Sequence, residues 1–425
     1  MKENLIFIIR SSAGEVEWIM PFWFFLKEKE KDFIIIFESQ KSFKSLELNE
    51  ELHTLWNDNF FQQSFFPYHD SMLYKIMDNL SDVVIFKNSR YRITFEKILS
   101  FLSINSHFKS TYTFLINRFN SSKGFFLFKD YNGASSLSKY LEKKLKNSDT
   151  IFFPHSNHIF SDSNSSLNSS VLVNSKHHLI LSNQTDQAIF KNNLSLNSIA
   201  TVGFTFTDKY WTNRVLEDVS ENEMEVEDET YNILLISRAI HPIYLSRKDK
   251  MDYLEWILEA CSKFKQVNLF IKQHPREVEE NLNLNEIILK HDQVKVHIAN
   301  KSLMKLCSNM DLVISFWTSG ILQAKFHGKP VIELYEPKQR ELDCAYDNEG
   351  KVTTIYRKLG LVEGTSIKDD FMRLFTKGLN SPEDKIWIKQ NENFNTIEGV
   401  KEDSCILIFN FLKEISEKKN FKLMD

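Results

Sequence analysis

Three short segments hold residues whose types and spacing could do chemistry. The first is Ile9–Phe22 (IRSSAGEVEWIMPF), a small, glycine-containing turn after an apolar run, which puts Glu15 at the start of a helix. Beyond such a strand end, where open α/β sheets bind ligands, a carboxylate can take a proton from a substrate. It can equally be a first-turn glutamate favoured by the helix dipole, an effect of about 0.3–1 kcal/mol. The second segment is Leu269–Glu277 (LFIKQHPRE), in which proline stops a strand and presents His274 at its carboxyl end. An imidazole there could donate to a phosphate or a sugar carboxylate, or protonate a leaving group; a lone histidine after a strand is also often only a surface or core residue. The third is Met310–Tyr335 (MDLVISFWTSGILQAKFHGKPVIELY), where strand Leu312–Ser315 runs into Thr318, Ser319 and Gly320, about 45 residues beyond His274. With Ser315, these hydroxyls and the free N–H groups of a helix start suit the phosphate of a nucleotide; the plainer alternative is a Ser/Thr helix cap.

Two reserves stand behind Glu15. Asp130 lies in Lys129–Gly133 (KDYNG), and His155 and His158 lie in FFPHSNH after a strand end, with a structural role the default for His155. No metal site is expected. The polar loop from Ser161 reads SDSNS with Asp162 its only carboxylate, and the cysteines Cys261, Cys307, Cys344 and Cys405 are scattered without a CxxC pair. The same scatter argues against a disulfide framework and fits a reducing cytoplasm. GxxxxGK[ST], GxSxG and HExxH are all missing, which removes the P-loop, hydrolase-elbow and zincin readings.

Elements that could position these residues recur along the chain. Apolar runs at Leu5–Arg10, Phe33–Phe37, Asp82–Phe86, Gly124–Phe128, Thr150–Phe153, His178–Leu181 and Ile199–Phe204 alternate with helix-length intervals, as a parallel sheet covered on both faces requires. Strands resume at Tyr231–Ser237, Val267–Lys272, Val294–Ile298, Leu312–Ser315 and Pro330–Leu334. Between the two series lies Leu216–Thr230 (LEDVSENEMEVEDET), acidic and poor in apolar residues, which reads as a solvated linker. The division is therefore 1–215 for a first lobe, 216–230 for the linker, 231–402 for a second lobe, and 403–425 for a terminal helix able to cross back to the first lobe. Two lobes also suit 425 residues. Ser161–Ser175 (SDSNSSLNSSVLVNS) reads as an exposed loop.

Composition narrows the partners. Lys and Arg total 53 against 57 Asp and Glu, leaving no basic field for nucleic acid. Leu5–Ile9 is too short to span a bilayer or to form a signal-peptide core. The Trp- and Phe-rich stretch Trp18–Leu26 allows at most peripheral membrane contact, with burial against a sheet the stronger alternative. A cytoplasmic protein, or one at the inner face of the cytoplasmic membrane, is expected.

LFIKQHPRE followed by DLVISFWTSGILQAKFHGKPVIEL resembles the C-terminal lobe of bacterial GT-B transferases that use CMP-activated acids, the Kdo transferases and sialyltransferases, and that of the CDP-glycerol glycerophosphotransferases. SSAGEVEWIMPF is similar to the Gly-Glu turn of the lipid A Kdo transferases. The resemblance covers roughly 60 residues in three patches. It implies a GT-B-like α/β fold of two Rossmann-like lobes with an interlobe cleft, and an inverting, metal-independent glycosyltransferase. Its substrates would be a sugar nucleotide and a glycan or glycolipid acceptor, with no separate cofactor. By the same resemblance Glu15 is the base, His274 activates the donor, and Thr318 and Ser319 contact phosphate. The sequence departs from the pattern at KDYNG, where sialyltransferases carry an acidic pair before glycine, and at His155, which lacks the following glycine of the glycerophosphotransferases. The competing readings are a polyol-phosphate transferase with His155 as base, a UDP-GlcNAc 2-epimerase of the same fold, and a non-catalytic sugar- or phosphate-binding protein.

Overall fold

The computed structural model describes residues 3–10, 13–67, 108–119, 124–131, 136–145, 147–161, 177–191, 198–216, 230–274, 277, 291, 293–338, 344–399 and 402–418. The expected strand Asp82–Phe86 lies outside them, as do most of the Ser161–Ser175 loop and of the acidic stretch Leu216–Thr230.

Among the described residues, seven parallel strands make the first sheet: β1 (Glu3–Ile9), β2 (Phe33–Phe37), β3 (Ser64–Phe65), β4 (Gly124–Asp130), β5 (Ser148–Phe153), β6 (His177–Leu181) and β7 (Ser198–Thr201). Their order is β3-β2-β1-β4-β5-β6-β7. The second lobe repeats the plan with β8 (Tyr231–Ile236), β9 (Val267–Lys272), β10 (Lys295–Ile298), β11 (Leu312–Ser315), β12 (Val331–Leu334) and β15 (Glu363–Thr365), in the order β10-β9-β8-β11-β12-β15. A short antiparallel pair, β13 (Ala345–Tyr346) and β14 (Val352–Thr353), stands apart. In each sheet the chain winds outward one way and then restarts beside its first strand. The crevices at the carboxyl ends of β1 and β4, and of β8 and β11, are thus the two topological switch points where such sheets take ligands. Strands of this kind, buried on both faces, read as unbroken apolar runs, and all five residues of β2 (FIIIF) are buried.

The helix Ala13–Glu28 is buried nearly all round because it is covered on both sides. Toward the sheet, Trp18 stacks on Phe153 at 5.6 Å and Phe22 meets Phe7 at 6.3 Å. Away from it, Phe25 packs edge-on against Tyr210 at 5.2 Å and lies 5.4 Å from Phe409, while Thr205 Oγ1 donates to the carbonyl of Trp18 at 2.6 Å. Its aromatic residues are core. No helix among the described residues is long and apolar enough to cross a membrane.

Phe409 belongs to the terminal helix Ser404–Lys418, which packs on the first lobe. Asp208 fixes it there: its Oδ2 accepts from the Cys405 N–H at 2.8 Å, and its Oδ1 accepts from Tyr210 N–H, near the start of the helix Lys209–Leu216, at 2.9 Å. The preceding helix Lys385–Glu398 stacks Phe394 on Phe204 of the first lobe at 5.9 Å.

Candidate active site

Three side chains from three strand ends meet at the first switch point. Glu15 follows β1, Asp130 ends β4, and His155 stands two residues past β5. His155 Nδ1 lies 3.0 Å from Asp130 Oδ2 and 3.4 Å from Glu15 Oε1, while Glu15 Oε2 accepts from the Arg10 N–H at 2.8 Å. Glu15 has no exposed surface and Asp130 is buried, whereas the His155 side chain is 28% exposed. Burial opposes a charge on His155, but the hydrogen bonds to Asp130 and Glu15, with their negative charge, outweigh it and raise its pKa to about 10. The group is an imidazolium at neutral pH, with two carboxylates behind it.

The loop that carries His155 is clamped at both ends. Burial and the charge on His155 push the His158 imidazole down to about 4, burial raises the Tyr131 phenol, and the neutral pair shares a hydrogen bond between Tyr131 Oη and His158 Nε2 at 2.7 Å. His158 Nδ1 lies 3.1 Å from both the carbonyl and the hydroxyl of Ser156. At the far end the Phe160 N–H donates to Asp186 Oδ1 at 2.9 Å, and Asn183 Nδ2 donates to Asp186 Oδ2 at 2.8 Å. Glu15, Asp130 and His155 also offer ligand atoms all within 4.8 Å of one another, and are the group among the described residues that could hold a cation. The imidazolium itself supplies positive charge between the carboxylates.

At the second switch point Ser315 Oγ accepts from the Thr318 N–H at 3.1 Å and lies 3.3 Å from Thr318 Oγ1. The helix Ile321–Phe326 starts at Gly320 with no side-chain cap, so the hydroxyls of Thr318 and Ser319 do not cap it. Between them and β11, Trp317 adopts φ 58°, a left-handed conformation costly for a bulky residue and concentrated at functional sites. Arg238, just past β8, holds that turn: its guanidinium donates to the Trp317 carbonyl at 2.6 Å and lies 4.7 Å from the Trp317 ring and 4.6 Å from that of Tyr244. A fixed cation thus sits beside the hydroxyl turn.

His274 lies two residues past β9, its N–H donating to Glu277 Oε1 at 3.2 Å and its carbonyl accepting from the Glu277 N–H at 2.8 Å. Glu277 in turn takes a hydrogen bond from Ser237 Oγ at 3.1 Å and pairs with Lys250 at 3.2 Å. The His274 turn is therefore tied to the end of β8, next to Arg238. Sequence reasoning missed Arg238, although it follows the apolar run Tyr231–Ser237 as directly as Arg10 follows β1. It also treated Asp130 and His155 as substitutes for Glu15, where the fold makes all three one group.

No family model matches the chain, and no curated protein matches it by sequence. Among solved structures, one from Listeria monocytogenes assigned as a UDP-N-acetylglucosamine 2-epimerase aligns over 100% of both chains, at 13% identity and a TM-score of 0.61. The UDP-GlcNAc 2-epimerase of Neisseria meningitidis, bound to UDP-GlcNAc, aligns over 96% of this chain and 100% of its own at 15% identity, with a TM-score of 0.59. A glycosyltransferase from Rickettsia africae aligns over 97% and 98% at 14% identity, with a TM-score of 0.53. The fold is GT-B-like, two parallel α/β lobes across a cleft. At these identities the likeness is one of fold.

Proposed function

We propose that the chain is a nucleotide-sugar enzyme whose second lobe holds the nucleotide and whose first lobe acts on the sugar through His155, Glu15 and Asp130, and that it epimerises a UDP-linked N-acetylhexosamine. The observation that carries this reading is the imidazolium set between two buried carboxylates at the first switch point. Inverting C2 takes a proton from one face and returns one to the other; with no carbonyl beside C2 to hold a negative charge, the C2–H electron pair would form a C1=C2 double bond as the nucleotide leaves C1, and the reverse addition would restore both bonds, so an acid and a base must stand ready together. His155 is the acid and the carboxylates are the base. Full-length likeness to two epimerase structures, one bound to UDP-GlcNAc, supports the same choice of substrate. In the second lobe Thr318, Ser319 and Arg238 would meet the diphosphate and His274 would stand alongside.

The second reading is transfer to a glycan or glycolipid acceptor from a CMP-, CDP- or UDP-linked donor. It is favoured by the position of Glu15 at the first strand-to-helix turn and by the glycosyltransferase neighbour. One experiment separates the two: UDP-GlcNAc alone in deuterated water, followed by NMR, against the donor panel with acceptors. Epimerisation predicts a C2-inverted sugar carrying deuterium at C2. Nucleotide release that requires an acceptor, with no deuterium at C2, would replace epimerisation by transfer. Tight nucleotide binding with no turnover in either arm would leave a binding protein.

A further inference from the structure

Glu15 and Glu17 lie two residues apart on one helix and so face different ways. Glu15 turns to Asp130 and His155; Glu17 turns to the second lobe, where Gln323 Nε2 donates to its Oε1 at 2.8 Å. Gln323 stands three residues past Gly320, in the first turn of the helix that opens at Thr318–Gly320, and is 3% exposed. Its Oε1 is buried without a hydrogen-bond partner among the described residues, so its bond to Glu17 is what orients the amide there. A second cross-lobe bond lies close by: the Ser302 N–H donates to the carboxylate of Glu51. Lys272, at the end of β9, faces both Glu17 and Glu51 across the same boundary. Together these contacts fix how the first helix of one lobe meets the hydroxyl turn of the other.

We propose that Glu17 and Gln323 are positioning residues that tie the helix bearing Glu15 to the turn bearing Thr318 and Ser319, so that a nucleotide held at the turn is felt at the Glu15–His155–Asp130 group. The path is short and covalent except for one hydrogen bond: Thr318–Gly320, Gln323, Glu17, then Glu15. This inference rests on the nucleotide reading above for its ligand, but not for the contact itself.

Backbone hydrogen exchange of the full-length chain, with and without UDP, tests both parts. In the wild type, UDP should slow exchange by about tenfold in residues 315–326 and also in residues 13–28. In Gln323→Ala and in Glu17→Ala, UDP should protect 315–326 alone, whereas Glu17→Gln, which keeps an oxygen to accept the bond, should restore protection of both. Without UDP, Gln323→Ala should speed exchange in 13–28 by about tenfold, the size of one lost hydrogen bond to a charged group. Protection of 13–28 that survives in both alanine variants, or that never occurs in the wild type while 315–326 is protected, would overturn the coupling. If UDP protects neither segment, the nucleotide reading fails. The contact then stands or falls on the nucleotide-free comparison, where unchanged exchange in 13–28 of Gln323→Ala would sink it.

Discussion

In the proposed reaction His155 is the residue on which the chemistry turns, and its charge state can be measured. Its pKa of about 10 lies above the ordinary 6.5, so the stabilisation it gains from Asp130 and Glu15 is complete below pH 6.5 and is lost as pH rises through 10. NMR titration should find this imidazole still charged at pH 9, and the wild type should lose more stability between pH 7 and 10.5 than His155→Gln does. An imidazole that titrates near 6.5 would remove the proton donor from the proposed reaction. Turnover should fall by about two or more decades in His155→Gln, while nucleotide affinity, set in the other lobe, stays within a few-fold. Glu142 runs the opposite way. Burial opposes its ionisation, but the His177 imidazole 3.6 Å away, the charge of Lys129 and the bond from Thr150 carry its pKa down to about 2, so its contribution is present above pH 4.5 and fades as pH falls through 2. Of the central group, the sequence made Glu15 legible through its place after a strand and a small turn. It could not show the convergence with Asp130 and His155, because that depends on which strand ends lie side by side, a property of strand order and not of spacing.

Strand order is set at the scale of elements, and there the second lobe shows how a site can depend on packing well away from it. Glu333 on β12 is wholly buried and is matched by Arg357, whose Nε lies 2.6 Å from Glu333 Oε1 and whose Nη2 donates to the Tyr335 carbonyl at 2.5 Å. Tyr335 packs at 5.0 Å against Trp317, the strained residue of the hydroxyl turn. Gly364 on β15 is what leaves room, since a Cβ there would stand 1.7 Å from Arg357 Nε and 2.4 Å from its Cζ. Gly364→Ala should therefore expel the guanidinium and strand a buried carboxylate, at a cost of about 3–5 kcal/mol in urea unfolding. Pairing it with Glu333→Gln should recover much of that loss, because the stranded charge is gone. A single variant as stable as wild type would show that Arg357 has another resting place. None of this was readable beforehand: the sequence shows a glycine in a short strand, whereas the cause is an arginine from the helix Ile355–Lys358. The Thr318–Gly320 turn was readable as a strand-to-helix junction, but only coordinates show that its hydroxyls do not cap the helix.

At the scale of the whole molecule, the alternation of apolar runs with helical stretches made two α/β units legible, because parallel sheets buried on both faces leave that pattern whatever their function. How the units hold each other left no such trace. The terminal helix is fixed to the first lobe by a side chain that means nothing alone, Asp208, with one carboxylate serving the starts of two helices far apart in sequence. Capping bonds are typically lost at about 1 kcal/mol each, so Asp208→Ala should cost about 2 kcal/mol and Asp208→Asn, which replaces one of the two accepting oxygens by an NH2 group, about half that. The consequence should reach the first lobe's central helix, since the terminal helix covers it through Phe409 and Phe25. Hydrogen exchange in Asp208→Ala should therefore rise not only in 404–418 but also in 13–28, and a chain ending at residue 402 should reproduce the second effect with the native cap on Lys209–Leu216 intact. Unchanged exchange in 13–28 in both would mean that the terminal helix is an ornament on the first lobe and that its sheet and neighbouring helices hold the Glu15 helix without it.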